Sequence, residues 1–294
     1  MHDNEIPIDD ADVRRLINEQ FPEWSNLTIE RLHSEGTVNV IFRIGPSLAA
    51  RFPLQPGQSR SALETEAVAA QELSEHTTFP TPLPVAIGEP GIGYSQCWSV
   101  QTWIEGATAT INDPSASTSF AQDLAAFVGE VRSIATKGRS FGGAGRGGKL
   151  LAHDEWVTVC LSKSEGLLDV HQLREMWRCY RQLADHAGDV MTHGDLIPSN
   201  VLVAEGRLTG VLDVGGMQSA DPSLDLVGGW HLLDDGPREV FRTALSCSDL
   251  EWERGQAWAF QQALGLVWYY RSSNPSMSEL GRRTLDRLVA SAPR

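Results

Sequence analysis

Apolar side chains at three- and four-residue spacing from Val13 to Ile17, behind the acidic run Asp9-Asp10-Ala11-Asp12, predict an opening helix. Short apolar and β-branched runs then predict strands at Leu27 to Leu32, Asn39 to Ile44 and Leu48 to Phe52, the last two separated by the Gly45-Pro46 turn. Leu63, Ala67, Ala70 and Leu73 return to helical spacing and predict a helix from Ser61 to His76. Two further strand-like runs, Val85 to Gly88 and Cys97 to Ile104, follow. Beyond Glu105-Gly106 the periodicity is helical at Phe120 to Ala135, Leu173 to His186, Pro237 to Leu245 and Leu250 to Tyr270. Strands first and helices afterwards predict a two-lobed α+β architecture rather than an alternating parallel sheet, with lobes at 1–104 and 105–294.

Composition narrows the classes. A hydrophobic share of 41% and a charged share of 21% are ordinary for a globular chain. No apolar run approaches the roughly 18 residues of a membrane span, and the acidic start lacks the order of a signal peptide, so the cytoplasm is the expected compartment. The net charge of -14 and the lack of a basic patch argue against nucleic-acid partners, and are compatible with a cationic small molecule. Cys97, Cys160, Cys179 and Cys247 are too scattered for a zinc site. Lysine occurs only at 137, 149 and 163, so no chemistry in the first lobe can rest on one.

One segment stands out chemically. Thr192-His193-Gly194-Asp195-Leu196-Ile197-Pro198-Ser199-Asn200 leads into a strand at Val201 to Val203, a turn at Glu205-Gly206, and a second strand at Leu208 to Leu212 ending in Asp213-Val214-Gly215-Gly216. Two carboxylates and an amide are thereby gathered at one end of a hairpin. Phosphoryl transfer needs just such groups, a carboxylate for the acceptor hydroxyl and oxygen ligands for Mg²⁺. The glycine-rich stretch from Ser140 to Gly148 lacks a strand–glycine–helix context and reads as a surface loop.

The HGDxxxxN pattern at 193–200 followed by an apolar strand and Asp213 resembles the catalytic and metal-binding loops of the aminoglycoside phosphotransferases, whose relatives the protein kinases carry HRDxxxxN and DFG. The resemblance extends to Trp98-Ser99-Val100, Trp103, Glu105-Gly106, Arg146-Gly147-Gly148, Trp252, Trp258, Tyr269-Tyr270 and Asn274-Pro275. It implies a two-lobed protein-kinase-like fold and a small-molecule kinase using ATP or GTP with Mg²⁺. Asp195 would be the catalytic base, Asn200 and Asp213 the metal ligands, and His193 an organiser of the catalytic loop rather than a proton carrier. Asp221 with Pro222 reads as a helix N-cap, and Asp225 as a brace beneath the loop.

On the nucleotide side, Arg51 stands where a strand lysine is usual, with Glu66 as its partner and Glu64 as second choice. Ser34, Gly36 and Thr37 would form the flap over the phosphates, and Thr102, Trp103 and Ile104 the hinge meeting the purine. The acceptor is expected to be an aminoglycoside, with a macrolide, sugar, choline- or homoserine-like hydroxyl, or a non-catalytic binding role, as alternatives. Asp154, Glu155, Asp234, Asp235 and Asp249 are candidates to receive a polycation. No nucleic acid or membrane partner is expected.

Overall fold

The computed structural model describes residues 6–32 and 39–291, and the chain divides into two compact units. The first comprises the chain up to Glu75, Pro80–Glu105 and Gly210–Gly215; the second comprises His76–Phe79, Gly106–Thr209 and Gly216 onward. The units are therefore not consecutive in sequence, and the loop bearing Asp213 belongs to the first.

Helix α1 (Asp10–Gln20) opens the first unit, capped by Asp9, whose side chain accepts from the Asp12 amide. The strands are β1 (Ile29–Leu32), β2 (Asn39–Ile44), β3 (Leu48–Pro53), β4 (Pro84–Gly88) and β5 (Trp98–Thr102), in one antiparallel sheet of order β1-β2-β3-β5-β4. Helix α2 (Arg60–Ser74), capped by Ser59, connects β3 to β4. Val13, Leu16 and Ile17 of α1 pack with Phe42, Phe52, Trp98 and Val100 of the sheet into one buried cluster. Alternation sets which side chains enter it: Ala50 and Phe52 lie in the cluster, while Arg51 between them takes the other face.

Trp98 is fully buried and stacks on Phe52 with ring centroids 4.6 Å apart. A Cβ on Gly88, its neighbour in register, would lie 2.0 Å from the Trp98 ring. Gly88→Ala must therefore displace the indole, and it is expected to destabilise the protein by about 1–3 kcal/mol. A urea midpoint equal to that of the wild type would refute this packing.

The second unit holds β6 (Ala107–Thr108), α3 (Thr118–Ser133), α4 (Asp154–Lys163), α5 (Val170–Tyr180), β7 (Val190–Thr192), β8 (Val201–Ala204), β9 (Arg207–Val211, of which Gly210 and Val211 fall in the first unit), β10 (Gln218–Ala220), α6 (Val227–Leu232), α7 (Asp235–Ala244), α8 (Asp249–Tyr269) and α9 (Pro275–Ser291). Helix α8 is its central strut: buried side chains surround it, including Trp252, Trp258, Phe260 and Leu264, and α4, α5, α6 and α9 pack on it. Helix α5 departs from expectation. It starts earlier than Leu173 because Asp169 caps it, and it ends at Tyr180 rather than His186, with Arg181 turned back onto Asp154. No helix of the described residues is long and apolar enough to cross a membrane.

Candidate active site

Strand β7 pairs antiparallel with β10 and delivers His193-Gly194-Asp195 at its end. The backbone turns there because the fully buried Asp225 carboxylate accepts from the His193 amide at 2.8 Å and the Gly194 amide at 2.7 Å. Asp225 therefore braces the loop from within. His193 is 2% exposed; its Nδ1 accepts from the Asp195 amide at 3.3 Å, and its ring lies edge-on to Phe127. Those are the contacts of a group that shapes the loop.

The Asp195 carboxylate is held at both oxygens. Oδ1 accepts from Arg146 Nη2 at 3.0 Å and from Gln262 Nε2 at 2.9 Å. Oδ2 accepts from Asn200 Nδ2 at 3.1 Å, and the same amide nitrogen reaches the Asp195 carbonyl at 3.0 Å. With its side-chain nitrogen committed to Asp195, Asn200 could offer a cation only its side-chain oxygen.

Sequence reasoning missed Arg146 and Gln262 as members of this cluster. The stretch from Ser140 to Gly148 is not simply a surface loop. Its second half is clamped: the Gly147 carbonyl accepts from the Asp221 amide at 2.8 Å, and the Gly148 carbonyl from Arg254 at 3.2 Å. Gly147 has φ +114°, and a Cβ there would lie 2.7 Å from the Ala220 side chain, so the close approach requires glycine. This clamp carries Arg146 onto the Gly194 carbonyl at 3.0 Å and onto Asp195. For Gln262 the available signal was an uncharged polar residue in the apolar course of α8, where polar side chains need a partner.

Behind the loop, Asp221 caps the turn at Pro222 as its sequence predicts, accepting from the Ser223 amide at 2.9 Å. Its other oxygen accepts from Arg254 Nε at 2.9 Å and Nη2 at 2.6 Å, and from Trp258 Nε1 at 2.8 Å.

In the first unit, Arg51 on β3 donates to Asp213 Oδ1 at 2.7 Å, whereas Glu66 stands 4.0 Å away. The expected Arg51–Glu66 pairing is thus secondary to Arg51–Asp213. Glu66 accepts from Gln58 Nε2 at 3.3 Å and packs beneath Gly215. Asp213 holds a left-handed backbone, φ +57°, a conformation that costs energy outside glycine and persists where surroundings enforce it. In the segment expected to serve as the hinge, the Thr102 amide donates to the Leu83 carbonyl at 2.9 Å and the Trp103 amide to the Ser47 carbonyl at 2.8 Å. Ser34, Gly36 and Thr37 lie outside the described residues.

The profile of the phosphotransferase enzyme family matches residues 19–258, which include every residue of this geometry described above except Gln262. The chain belongs to that family. A stretch of 62 residues is 37% identical to an aminoglycoside 3'-phosphotransferase of Escherichia coli, covering 21% of this chain and 23% of that protein; the match spans under a quarter of the relative. A GDP complex of an aminoglycoside 2'-phosphotransferase superposes with a TM-score of 0.72 at 18% identity, over 96% of this chain and 98% of its own. A macrolide 2'-phosphotransferase from Brachybacterium faecium gives 0.60 at 18% identity, over 98% and 99%. These likenesses show the fold: the strand-rich and helical units of the two-lobed, protein-kinase-like phosphotransferases.

Proposed function

We propose that this chain transfers the γ-phosphoryl group of ATP or GTP to a hydroxyl of an aminoglycoside-class small molecule, with Asp195 as the base. The observation that carries the reading is the Asp195 carboxylate, whose Oδ1 is filled by Arg146 and Gln262 while Oδ2 receives Asn200 alone. Oδ2 is then the oxygen with room for the proton of an acceptor hydroxyl. As the acceptor oxygen bonds to the γ-phosphorus, that proton moves to Oδ2 and the bond from phosphorus to the departing diphosphate oxygen breaks. His193 keeps the loop in shape rather than taking the acceptor's proton.

Magnesium, when bound, offsets the charge building on the phosphate oxygens. The donor set suits a hard cation: Asn200 supplies an amide carbonyl, and Asp213 retains the carboxylate oxygen Arg51 does not take. Among the described residues no three His, Cys, Asp or Glu side chains converge as a metal-holding group, and a magnesium ion held by Asn200 and Asp213 would draw its remaining ligands from phosphate oxygens and water. Arg51, which pairs with Asp213 Oδ1, is the phosphate contact of the first unit in this reading. Because Thr102 and Trp103 have committed their amides, purine recognition falls to their carbonyls and to Ile104.

The acidic residues suggested as a polycation receptacle are mostly engaged: Asp154 pairs with Arg181, Asp234 with Arg287, Asp235 with Arg238 and Asp249 with Arg242. The acceptor panel must accordingly include neutral polyols. A coupled nucleotide-consumption assay across aminoglycosides, macrolides, sugars and amino alcohols, with ATP and with GTP, is expected to respond to at least one aminoglycoside. Consumption that no acceptor raises above the magnesium–nucleotide background would overturn the proposal.

A further inference from the structure

Gln262 lies on α8 with its amide between three polar groups. Arg146 Nη1 donates to Oε1, His231 Nε2 faces the same oxygen at 3.1 Å, and Nε2 donates to Asp195 Oδ1 at 2.9 Å. Guanidinium can only donate and an ionised carboxylate can only accept, so this amide has one orientation. The oxygen facing His231 fixes that residue in turn: its Nε2 carries the hydrogen, leaving Nδ1 to accept from Thr284 Oγ1 at 2.8 Å. His231 and Thr284 are fully buried, and burial pushes the imidazole pKa down to about 4, which keeps the ring neutral as this arrangement requires.

The result is a directed chain, Thr284 to His231 to Gln262 to Asp195, anchored on α9, α6 and α8. Donors aligned head to tail polarise one another, and helices hold their side chains more firmly than loops do. Without Gln262, rotation of the Asp195 carboxylate would be opposed by Arg146 and Asn200, both of which also bind the loop's own carbonyls, Gly194 and Asp195. Arg146 ties the carboxylate to the clamped 140–148 segment, and Gln262 ties it to the helical frame of α6, α8 and α9. We infer that Gln262 is a positioning residue for the phosphoryl-transfer base, aligned by His231 and Thr284, and that it sets which Asp195 oxygen is presented to the acceptor. This inference rests on the reading of Asp195 as that base.

Steady-state kinetics with kanamycin as probe acceptor, and both magnesium nucleotides, test it. Gln262→Leu is expected to lower kcat about 10–100-fold with nucleotide KM changed less than about 2-fold, the cost of a misplaced but intact catalytic group. His231→Gln, which can present a side-chain amide N–H where Nε2 stood, should stay within about 3-fold of wild type, while His231→Phe should not. In an Asp195→Asn background Gln262→Leu should cost less than about 3-fold, because the group it positions is gone. Equal cost in both backgrounds, or an unchanged kcat, would overturn the inference. Full activity of Asp195→Asn alone would instead overturn the base.

Should Gln262→Leu fail to fold, Thr284→Val removes only the distal hydroxyl and is expected to lower kcat about 3–10-fold, with no loss again counting against the chain. Should kanamycin give no turnover, crystal structures of wild type and Gln262→Leu decide: the Asp195 carboxylate should turn by more than about 20°, and a smaller change overturns the inference.

Discussion

Asp195→Asn is expected to lower turnover by about 10²–10⁴-fold while nucleotide affinity stays within a few-fold of wild type. Asparagine keeps the volume, and its one oxygen can accept from Arg146 and Gln262, but its NH2 can neither accept from Asn200 nor take the acceptor's proton. The loss should therefore fall on kcat, with the carboxamide still held by Arg146 and Gln262. Isothermal titration with a non-hydrolysable nucleotide, alongside the coupled assay, separates the two quantities. Turnover retained within about tenfold would remove Asp195 from proton transfer and leave the carboxylate a role in orientation alone.

The largest stability effect is expected at Asp221. Its side chain is fully enclosed, and one oxygen serves Arg254 twice and Trp258 once. Arg254 is itself 1% exposed, so Asp221→Ala would strand a guanidinium and an indole N–H in the interior. Breaking a buried pair from one side costs about 3–5 kcal/mol, far more than the pair's net worth. Urea unfolding followed by tryptophan fluorescence measures it, with Trp258 as a reporter at the lesion. A loss below about 1 kcal/mol would mean that the cluster rearranges or hydrates freely. The double variant Asp221→Leu with Arg254→Met should recover much of the loss, since it leaves no charge behind.

Much of this was legible from the chain. The five strands of the first unit, the β8–β9 hairpin and α2 were marked by apolar runs and turn residues, and the positions of the loop groups by the 193–200 spacing and the aspartate after the second strand, whereas the short β6, β7 and β10 were not. Asp221 was legible as a cap because Asp-Pro at a helix start has one local meaning, while Asp225 as a brace was implied only by the family resemblance. What periodicity could not supply was partnership across long separations. Gln262 is 67 residues from Asp195, and Arg146 is 49. Arg51 was placed at its strand position, but its preference for Asp213 over Glu66 is a matter of ångströms and of the left-handed turn at Asp213. Helix α9 was overlooked although Asn274-Pro275 announces it: Asn274 Oδ1 accepts from the Met277 amide at 3.2 Å, and proline takes the first helical position.

Arg254, Trp258 and Gln262 recur every fourth residue along α8, so one stripe of one helix reaches the buried Asp221 anchor and the Asp195 loop in succession. Adaptation of this protein to a new acceptor is thereby constrained. A substitution that shifts α8 to reshape the site also strains its deepest ion pair, and catalytic gain and folding loss arrive together. Selection for a broader acceptor range should leave this stripe untouched and accumulate changes on exposed α7 and at the solvent-facing start of α8. Deep mutational scanning under selection for turnover of a second acceptor would display that separation as a silent core beside a permissive rim.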